Sequence, residues 1–269
     1  MEREFIDHLN RKVTLNDLPQ RIISLCPAIT ETLFALRAGD RIVGRTRYCI
    51  FPEDRVKQVP IVGGTKEMDL DKIRALKPDL IVMEKEENTA EMVAALEKDF
   101  PVYVAEVQSI PDAYRLIQSL GGLTGRDAEA AQLIEEIRTS FQTLPKRTGQ
   151  RVAYVIWKNP YMTVGKDTYI ESVLKQLGFS VPFTEMEGRY PAVTEADFQQ
   201  ANLDFIFLAS EPFPFREKHL AEFQKICPET KVICVEGEMF WYGARMKIAA
   251  DYFENLMITL LEESKNEKS

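Results

Sequence analysis

Residues 70–83 read LDKIRALKPDLIVM, and this stretch decides the fold class. It joins a short helical pattern to an apolar run through Lys-Pro-Asp, and a residue before proline avoids the helical region, so the pattern predicts a helix, a turn and a buried strand. Residues 195–208 read EADFQQANLDFIFL and repeat it. The repeat predicts two similar α/β lobes, although any strand–helix–strand unit has the same general pattern.

The rest of the chain extends this alternation in both directions. Helical patterns separate short apolar runs at residues 21–25, 41–45, 79–83, 101–105, 152–157, 204–209 and 232–235. Strands that alternate with helices are typical of parallel sheets. Between the two blocks, residues 126–144 predict one long amphipathic helix. We therefore expect an N-terminal α/β lobe over residues 1–124, a connecting helix over 125–147 and a C-terminal α/β lobe over 148–269.

The composition excludes several classes of protein. The chain has 34 basic and 42 acidic residues, so its formal net charge is −8. Binding of nucleic acid through its phosphates requires a basic face, and this balance argues against such a partner. Hydrophobic residues make up 45% of the chain and charged residues 28%, which is typical of a globular protein with a full core.

The apolar runs are too short for a membrane span or a signal peptide. The sequence as written therefore predicts a cytoplasmic protein, or the trimmed mature part of an exported one in a periplasmic or other extracytoplasmic location. None of the four cysteines forms a C-x-x-C pair, and we expect them to be reduced and mostly buried. Spacing alone does not exclude one disulfide.

Motifs for metal binding and catalysis are missing from the sequence. His8 and His219 stand alone and are interpreted as surface residues, so we expect no metal site built from side chains. Gly63-Gly64-Thr65-Lys66 has the letters of a P-loop in the wrong order. There is no G-x-S-x-G sequence and no histidine beside a candidate nucleophile. We expect no catalytic residues and no built-in cofactor.

Two features of the first half mark a candidate binding site. Gly63-Gly64 follows an apolar Ile-Val pair and would let the backbone approach a ligand closely, or simply make a tight turn. The run Glu84–Asn88 directly follows a predicted strand, and ligands of parallel α/β sheets lie beyond the carboxyl ends of the strands. The alternative is a solvated charged loop.

The second half concentrates aromatic residues just after predicted strands. Trp157 and Tyr161 follow one strand, the segment 211–215 follows the next, and Phe240-Trp241-Tyr242 follows the last, with Arg245 shortly after it. Aromatic rings beside a few charged groups are suited to a large, flat, partly apolar ligand. Packing of these loops on one another is the alternative.

At this point the sequence resembles a known family. The first-half motifs are Arg21–Leu25 with Pro27 and Thr30-Glu31, then Tyr48, Phe51-Pro52, Val62-Gly63-Gly64 and the stretch 70–81; the second half adds Pro160–Gly165, Tyr190-Pro191 and Trp241. These are similar to substrate-binding proteins of iron-siderophore, heme and vitamin B12 ABC importers. The resemblance implies two Rossmann-like lobes joined by one long rigid helix, with the ligand in the cleft between them. It is closest to the vitamin B12 binders.

The resemblance and the residue patterns together define the expected site. A corrinoid or other metal chelate would be bound without any chemical reaction, by Tyr48, Gly64, Thr65, Lys66, Glu84, Trp157, Tyr161, Arg189, Tyr190, Phe240, Trp241, Tyr242 and Arg245. Asp71 and Glu195 would dock on a permease, and the protein would be a monomer. The alternatives are a siderophore or heme binder, and a cytosolic enzyme or cofactor carrier on the same scaffold.

Overall fold

Residues 2–266, which the computed structural model describes, form twelve β-strands in three sheets together with ten α-helices. By their internal packing these residues fall into two compact units. Unit 1 comprises the chain up to Val107, Pro111–Glu136 and Tyr242–Ala244; unit 2 comprises Gln108–Ile110, Ile137–Trp241 and the chain from Arg245 on. The lobe boundaries expected from the sequence stay a prediction.

Unit 1 begins with an antiparallel hairpin, β1 (Arg3–Ile6) and β2 (Lys12–Leu15), and continues into a five-stranded sheet. The strands of this sheet, sheet 1, are β3 (Ile22–Ser24), β4 (Ile42–Thr46), β5 (Ile61–Gly63), β6 (Leu80–Glu84) and β7 (Val102–Ala105). The helices that alternate with them are α1 (Pro27–Ala35), α2 (Glu53–Val56), α3 (Leu70–Leu76) and α4 (Ala90–Leu96). All strands of sheet 1 are parallel, in the order β5-β4-β3-β6-β7. The predicted parallel sheet is confirmed here.

The turn of the N-terminal hairpin closes the outer edge of β7. The backbone N–H of His8 donates to the carbonyl of Val104 at 3.2 Å, and the carboxylate of Asp7 accepts from the N–H of Val104 at 3.3 Å. His8 is buried, its Nδ1 lies 2.9 Å from the carbonyl oxygen of Glu106, and burial lowers its pKa. The interpretation of His8 as a surface residue is therefore wrong, because edge groups of a sheet require partners.

The five-stranded sheet of unit 2, sheet 2, contains both parallel and antiparallel strand pairs. Its strands are β8 (Val152–Trp157), β9 (Tyr161–Thr163), β10 (Ala192–Val193), β11 (Phe205–Ala209) and β12 (Lys231–Val235), in the order β10-β9-β8-β11-β12. β8, β11 and β12 are parallel, whereas β9 is antiparallel to both β8 and β10. Three residues join β8 to β9, which suffices for a hairpin but not for the crossover that a parallel pair requires. Strands β9 and β10 were not predicted from the sequence.

The sequence repeat corresponds to the same hydrogen-bond arrangement in each unit. In unit 1 the carboxylate of Asp79 accepts from the N–H of Arg21 at 2.9 Å, and the N–H of Asp79 donates to the carbonyl of Arg21 at 2.9 Å. In unit 2 Asp204 and Arg151 make the same pair of bonds, at 2.7 and 2.9 Å. The aspartate before β6 or β11 thus aligns that strand with the neighbouring central strand.

Helices of unit 2 and the long helices complete the architecture. Unit 2 contains α7 (Tyr169–Gln176), α8 (Glu195–Gln200), α9 (Leu220–Ile226) and the C-terminal α10 (Arg245–Asn266). Two further helices precede sheet 2, α5 (Ile110–Thr124) and α6 (Asp127–Thr143). α6 confirms the predicted long helix and contains one of the points, Glu136–Ile137, at which the chain passes between the two units.

Candidate functional site

Loops after four strands of sheet 1 form the candidate site of unit 1. Parallel strands end at the same edge of a sheet, and the residues that follow β3, β4, β5 and β6 therefore share what we call carboxyl edge 1. These residues are Cys26, Tyr48, Gly64–Lys66 and Glu84–Asn88. Of the residues expected to bind the ligand, the structure brings Tyr48, Gly64, Thr65, Lys66, Glu84 and Tyr242 into unit 1.

Glu84 is a buried carboxylate that holds its own loop together. Its side chain is 1% exposed and accepts from the backbone N–H groups of Glu86 at 2.7 Å, Glu87 at 3.0 Å and Val107 at 3.4 Å. Burial raises the pKa of Glu84 from 4.5 to about 7, because desolvation outweighs the stabilisation that these N–H groups give the anion. Glu84 therefore shapes the site from within and presents little surface to a ligand.

Asn88 connects three loops of carboxyl edge 1. Its side-chain oxygen accepts from the N–H of Glu84 at 2.9 Å, and its amide nitrogen donates to the carbonyl oxygens of Leu25 at 3.0 Å and Thr65 at 2.9 Å. The sequence analysis did not include Asn88 among the site residues. Its position four residues after a buried strand was the available signal, but the role of a buried amide depends on loops distant in sequence.

The segment Tyr242–Ala244 packs on the start of α1. The hydroxyl of Tyr242 lies 3.3 Å from the sulfur of Cys26, and the N–H of Ala244 donates to the hydroxyl of Thr32 at 3.0 Å. Gly243 has a φ of 80°, and a Cβ there would lie 2.2 Å from the Thr32 oxygen, so only glycine fits. Tyr242 is thereby fixed at carboxyl edge 1, and its contact with a ligand stays a prediction.

Tyr48 is the most exposed aromatic side chain of this edge. It is 53% exposed, and the guanidinium of Arg47 lies 6.0 Å from its ring centre. Arg47 is also paired with Glu67 at 2.5 Å. Gly64 lies beneath the ring, where a Cβ would approach Tyr48 to 3.3 Å. The edge therefore offers an aromatic face to solvent.

Carboxyl edge 2, the loops after β8, β11 and β12 of sheet 2, carries the aromatic residues of unit 2. Trp157 is 39% exposed at the end of β8, and its ring packs edge-on against Phe213 at 5.8 Å between centres. Trp241 follows β12 and donates its ring N–H to the carboxylate of Glu211. Both tryptophans of the chain thus lie at this edge. Their indole faces are the surfaces of unit 2 best suited to a flat apolar ligand.

Other expected residues of unit 2 are placed away from this surface. Phe240 is 3% exposed and its ring packs on Tyr154 and Phe253 at 4.7 and 4.9 Å, so the role that the structure supports is packing. Arg245 is 5% exposed at the start of α10. Both side chains are less accessible than the sequence pattern suggested, because a run of aromatic residues does not reveal which of them face the core.

Tyr161, Arg189 and Tyr190 follow from the hairpin of sheet 2. The ring of Tyr161 packs against Phe223 at 5.2 Å, and its hydroxyl donates to Glu222 at 2.5 Å. The carbonyl of Arg189 accepts from the N–H of Gly165 at 2.8 Å, so Arg189 and Tyr190 lie beside the far end of β9. That position is remote from Trp157 along β8. Their contact with a ligand stays a prediction.

The two acids expected to dock on a partner occupy similar places in the two units. Asp71 lies in the first turn of α3 and is exposed, with a nitrogen of Arg74 3.7 Å away. Glu195 lies in the first turn of α8 and is exposed. The neighbouring acid Asp197 accepts from both the N–H and the hydroxyl of Thr194 at 2.7 Å in a capping box, and is thereby engaged within its helix.

Two absences concern metal binding and membrane spans in the described part of the chain. Residues 2–266 contain no group of three or more histidine, cysteine or acidic side chains that could hold a metal ion. The expected absence of a metal site stays a prediction. No helix within the same residues is both long and apolar enough to cross a membrane. The four cysteines are free, and all but Cys234 are buried.

The sequence is similar to a known family and to known proteins. Residues 22–225 match the model of a family described as periplasmic binding protein. A Bacillus subtilis protein described as an uncharacterized ABC transporter substrate-binding lipoprotein, YvrC, is 31% identical over 180 residues, 62% of this chain. The match spans 57% of that relative's own length, which is less than two thirds.

Two further comparisons involve proteins named for vitamin B12. The vitamin B12-binding protein of Vibrio vulnificus (strain CMCP6) is 30% identical over 192 residues, which is 68% of each chain. The crystal structure of the periplasmic vitamin B12 binding protein BtuF of Vibrio cholerae superposes with a TM-score of 0.72 at 20% identity, covering 90% of this chain and 98% of that one. At this identity the structural likeness concerns the fold.

Proposed function

Because the chain belongs to the family of periplasmic binding proteins, we propose that it binds a corrinoid, a vitamin B12-like ligand, and delivers it to an ABC permease. The family comprises binding proteins rather than enzymes, and relatives are named as substrate-binding components of ABC transporters. Binding would take place without a chemical reaction. Within unit 1 the proposed ligand-contacting surface is carboxyl edge 1, and within unit 2 it is carboxyl edge 2.

The observation that carries this proposal is the exposure of large aromatic rings at both edges. Tyr48 is 53% exposed at carboxyl edge 1 and Trp157 is 39% exposed at carboxyl edge 2. Exposed aromatic rings are unfavourable in water unless a partner covers them, and a planar ring system can cover them by stacking. The relatives named for vitamin B12 support a corrin ring as that system.

Equilibrium dialysis against three ligand classes tests the proposal. The purified protein would be dialysed separately against cyanocobalamin, hemin and a ferric hydroxamate siderophore, with bovine serum albumin as control for adsorption. We expect saturable binding of cyanocobalamin with a Kd in the micromolar range or tighter. Preferential binding of hemin or of the siderophore would replace the corrinoid proposal with one of the two other chelate classes, and binding of none would contradict the proposed function.

Trp241→Ala is expected to weaken corrinoid binding by about 1–3 kcal/mol, because the variant loses stacking area at carboxyl edge 2. The free energy of unfolding should change little, since the ring is only half-buried. Isothermal titration calorimetry measures the first quantity and urea denaturation the second.

Trp241→Phe is the matched control for this prediction. It keeps an aromatic face but removes the N–H that donates to Glu211. We expect it to retain most of the affinity. Equal affinities of wild type and Trp241→Ala would remove this ring from the site.

We also propose that Asp71 and Glu195 form ion pairs with the permease. Both are exposed acids in the first turn of a helix, α3 before β6 and α8 before β11. Asp71→Ala and Glu195→Ala should each lower uptake of radiolabelled cyanocobalamin by cells that carry the cognate permease, and the double variant more so, with unchanged affinity of the isolated protein. Asp54→Ala, which removes an exposed acid of α2, is the control. Uptake by the double variant equal to that of the control would exclude this docking role.

The relatives support an extracytoplasmic location, which we propose, and we also propose that the protein is a monomer. The names of the relatives include a lipoprotein and the family is periplasmic. Cell fractionation with antibodies to the protein distinguishes this location from the cytoplasm. Sedimentation equilibrium at micromolar concentration tests the monomer, and a mass of twice 30.8 kDa would contradict it.

A further inference from the structure

The end of β6 and the loop after it carry three carboxylates, and two of them, Glu84 and Glu87, act electrostatically on Cys26 and Tyr242 at carboxyl edge 1. Glu84 is buried, and backbone N–H groups surround its oxygens. Glu87, three residues later, is only half-buried. Its backbone N–H donates to Glu84, and this bond fixes the backbone of Glu87. Other contacts position the side chain of Glu87. Of the two acids, Glu87 is the one with surface to offer a ligand.

The surroundings of Glu87 are polar but carry little positive charge to spare. The hydroxyl of Thr65 hydrogen-bonds its side chain, and Lys66 provides the nearest attractive charge. The ammonium of Lys66 donates to the backbone carbonyl of Glu86, so this cation is already engaged within the same edge. Burial raises the pKa of Glu87, whereas the charge of Lys66 lowers it by more than the charge of the neighbouring Glu86 raises it.

Tyr242 extends this polar surface. The charges of Glu84 and Glu87 both act on the Tyr242 hydroxyl, which lies 3.3 Å from the sulfur of Cys26. The pKa of Tyr242 is raised well above its ordinary value, mainly by burial, so the hydroxyl is neutral under physiological conditions. Hydrogen-bond acceptors and neutral hydroxyls therefore dominate the part of carboxyl edge 1 between β3 and β6.

We infer that carboxyl edge 1 recognises its ligand through a hydrogen-bond donor such as a primary carboxamide, that it disfavours a carboxylate at the same place, and that Glu87 makes this distinction. The inference rests on the proposed function and names the ligand class more closely. A site with a fixed acceptor favours a ligand that donates to it, and a ligand carboxylate would leave two like charges facing each other.

This chemistry separates the chelate classes that the fold accommodates. The corrin ring of cobalamin carries peripheral primary carboxamides, whereas heme carries two propionate carboxylates and many ferric siderophores are anionic. An anionic ligand would instead depend on Lys66, Arg189 or Arg245. Lys66 is engaged with Glu86, and Arg245 is 5% exposed. A ligand bound through a carboxamide requires no rearrangement of Lys66 or Arg245.

The test compares ligands that differ by one group. Cyanocobalamin and its singly hydrolysed monocarboxylic acids, one for each peripheral primary carboxamide that has become a carboxylate, would be titrated into the wild-type protein at about pH 8, where carboxylates are ionised. We expect at least one isomer to bind about tenfold or more weakly than cyanocobalamin, which corresponds to about 1.4 kcal/mol. Binding of every one of these isomers within about twofold of cyanocobalamin would overturn the inference.

Two variants identify the residue responsible. Glu87→Gln removes the charge but keeps the shape, so the penalty against the sensitive isomer should fall to about threefold or less. Lys66→Gln, the control, should leave the penalty in place or increase it. A penalty unchanged in Glu87→Gln would contradict the role of Glu87. Failure of the proposed function is a separate outcome, because it requires that cyanocobalamin itself does not bind the wild type.

Discussion

Replacement of Asn88 by alanine is expected to lower the free energy of unfolding by about 3 kcal/mol. The variant loses three hydrogen bonds, to the N–H of Glu84 and to the carbonyl oxygens of Leu25 and Thr65, at 2.9–3.0 Å. Each is worth about 1 kcal/mol, and groups left buried without a partner add to the cost. Urea denaturation at neutral pH, followed by far-UV circular dichroism, measures the change.

Two further variants sharpen this expectation. Asn255→Ala removes another side-chain bond, to the carbonyl of Asp251 on the exposed face of α10, and should change stability by less than about 0.5 kcal/mol. Asn88→Asp keeps the size but replaces the donor to Leu25 and Thr65 by an oxygen, so it should be destabilised as strongly as Asn88→Ala. If Asn88→Ala were as stable as Asn255→Ala, the connection between these loops would carry no energetic weight.

The second large effect concerns pH and Glu84. Burial raises the pKa of Glu84 in the folded protein to about 7 from an ordinary value of 4.5. Between these two values the folded state retains a proton that the unfolded state has lost, so stability falls as pH rises. The contribution is fully present below pH 4.5 and lost above about pH 7. A shift of this size corresponds to about 3 kcal/mol.

The difference between wild type and Glu84→Gln isolates this contribution. His8 acts in the opposite direction, because burial lowers its pKa and stability is lost as pH falls through that pKa. Glutamine does not titrate, so the stability of wild type minus that of Glu84→Gln should decrease between pH 4.5 and 7 and then level off. A difference that is constant across this range would contradict a buried, titrating Glu84.

The fold follows from sequence features that are local and repeated. The helix–turn–strand pattern at residues 70–83 and 195–208 corresponds to α3–β6 and α8–β11, and the aspartate at the same place in both repeats aligns neighbouring strands through Arg21 and Arg151. Apolar runs of this kind must be buried between helices whatever the rest of the chain does. The family resemblance drawn from the same motifs is confirmed by the family match over residues 22–225.

The candidate site was less predictable because it depends on long-range packing. Trp241 and Tyr242 are consecutive, yet Trp241 belongs to unit 2 and Tyr242 to unit 1, and the left-handed Gly243 that fixes Tyr242 against Thr32 has no local sequence signature. Phe240, one residue earlier, faces the core. Alternate burial within a run of three aromatic residues is set by contacts with Tyr154 and Phe253, which the run itself does not encode.

The charged loop after β6 shows the same limit. The run Glu84–Asn88 was identified by its place at the end of a buried strand, but charge and spacing could not rank its members. The structure separates them: Glu84 accepts from its neighbours' backbone, Asn88 connects three loops, and Glu87 is a half-buried acid beside Thr65 and Lys66.

A fluorescence titration with cyanocobalamin tests the proposed binding most directly. The chain contains two tryptophans, Trp157 and Trp241, and both lie at carboxyl edge 2, while the corrin chromophore absorbs where indole emits. We predict that emission falls steeply up to one equivalent of ligand and then changes only through absorption by free ligand. A decrease that follows free N-acetyltryptophanamide at every ligand concentration, without a break at one equivalent, would contradict corrinoid binding at this edge.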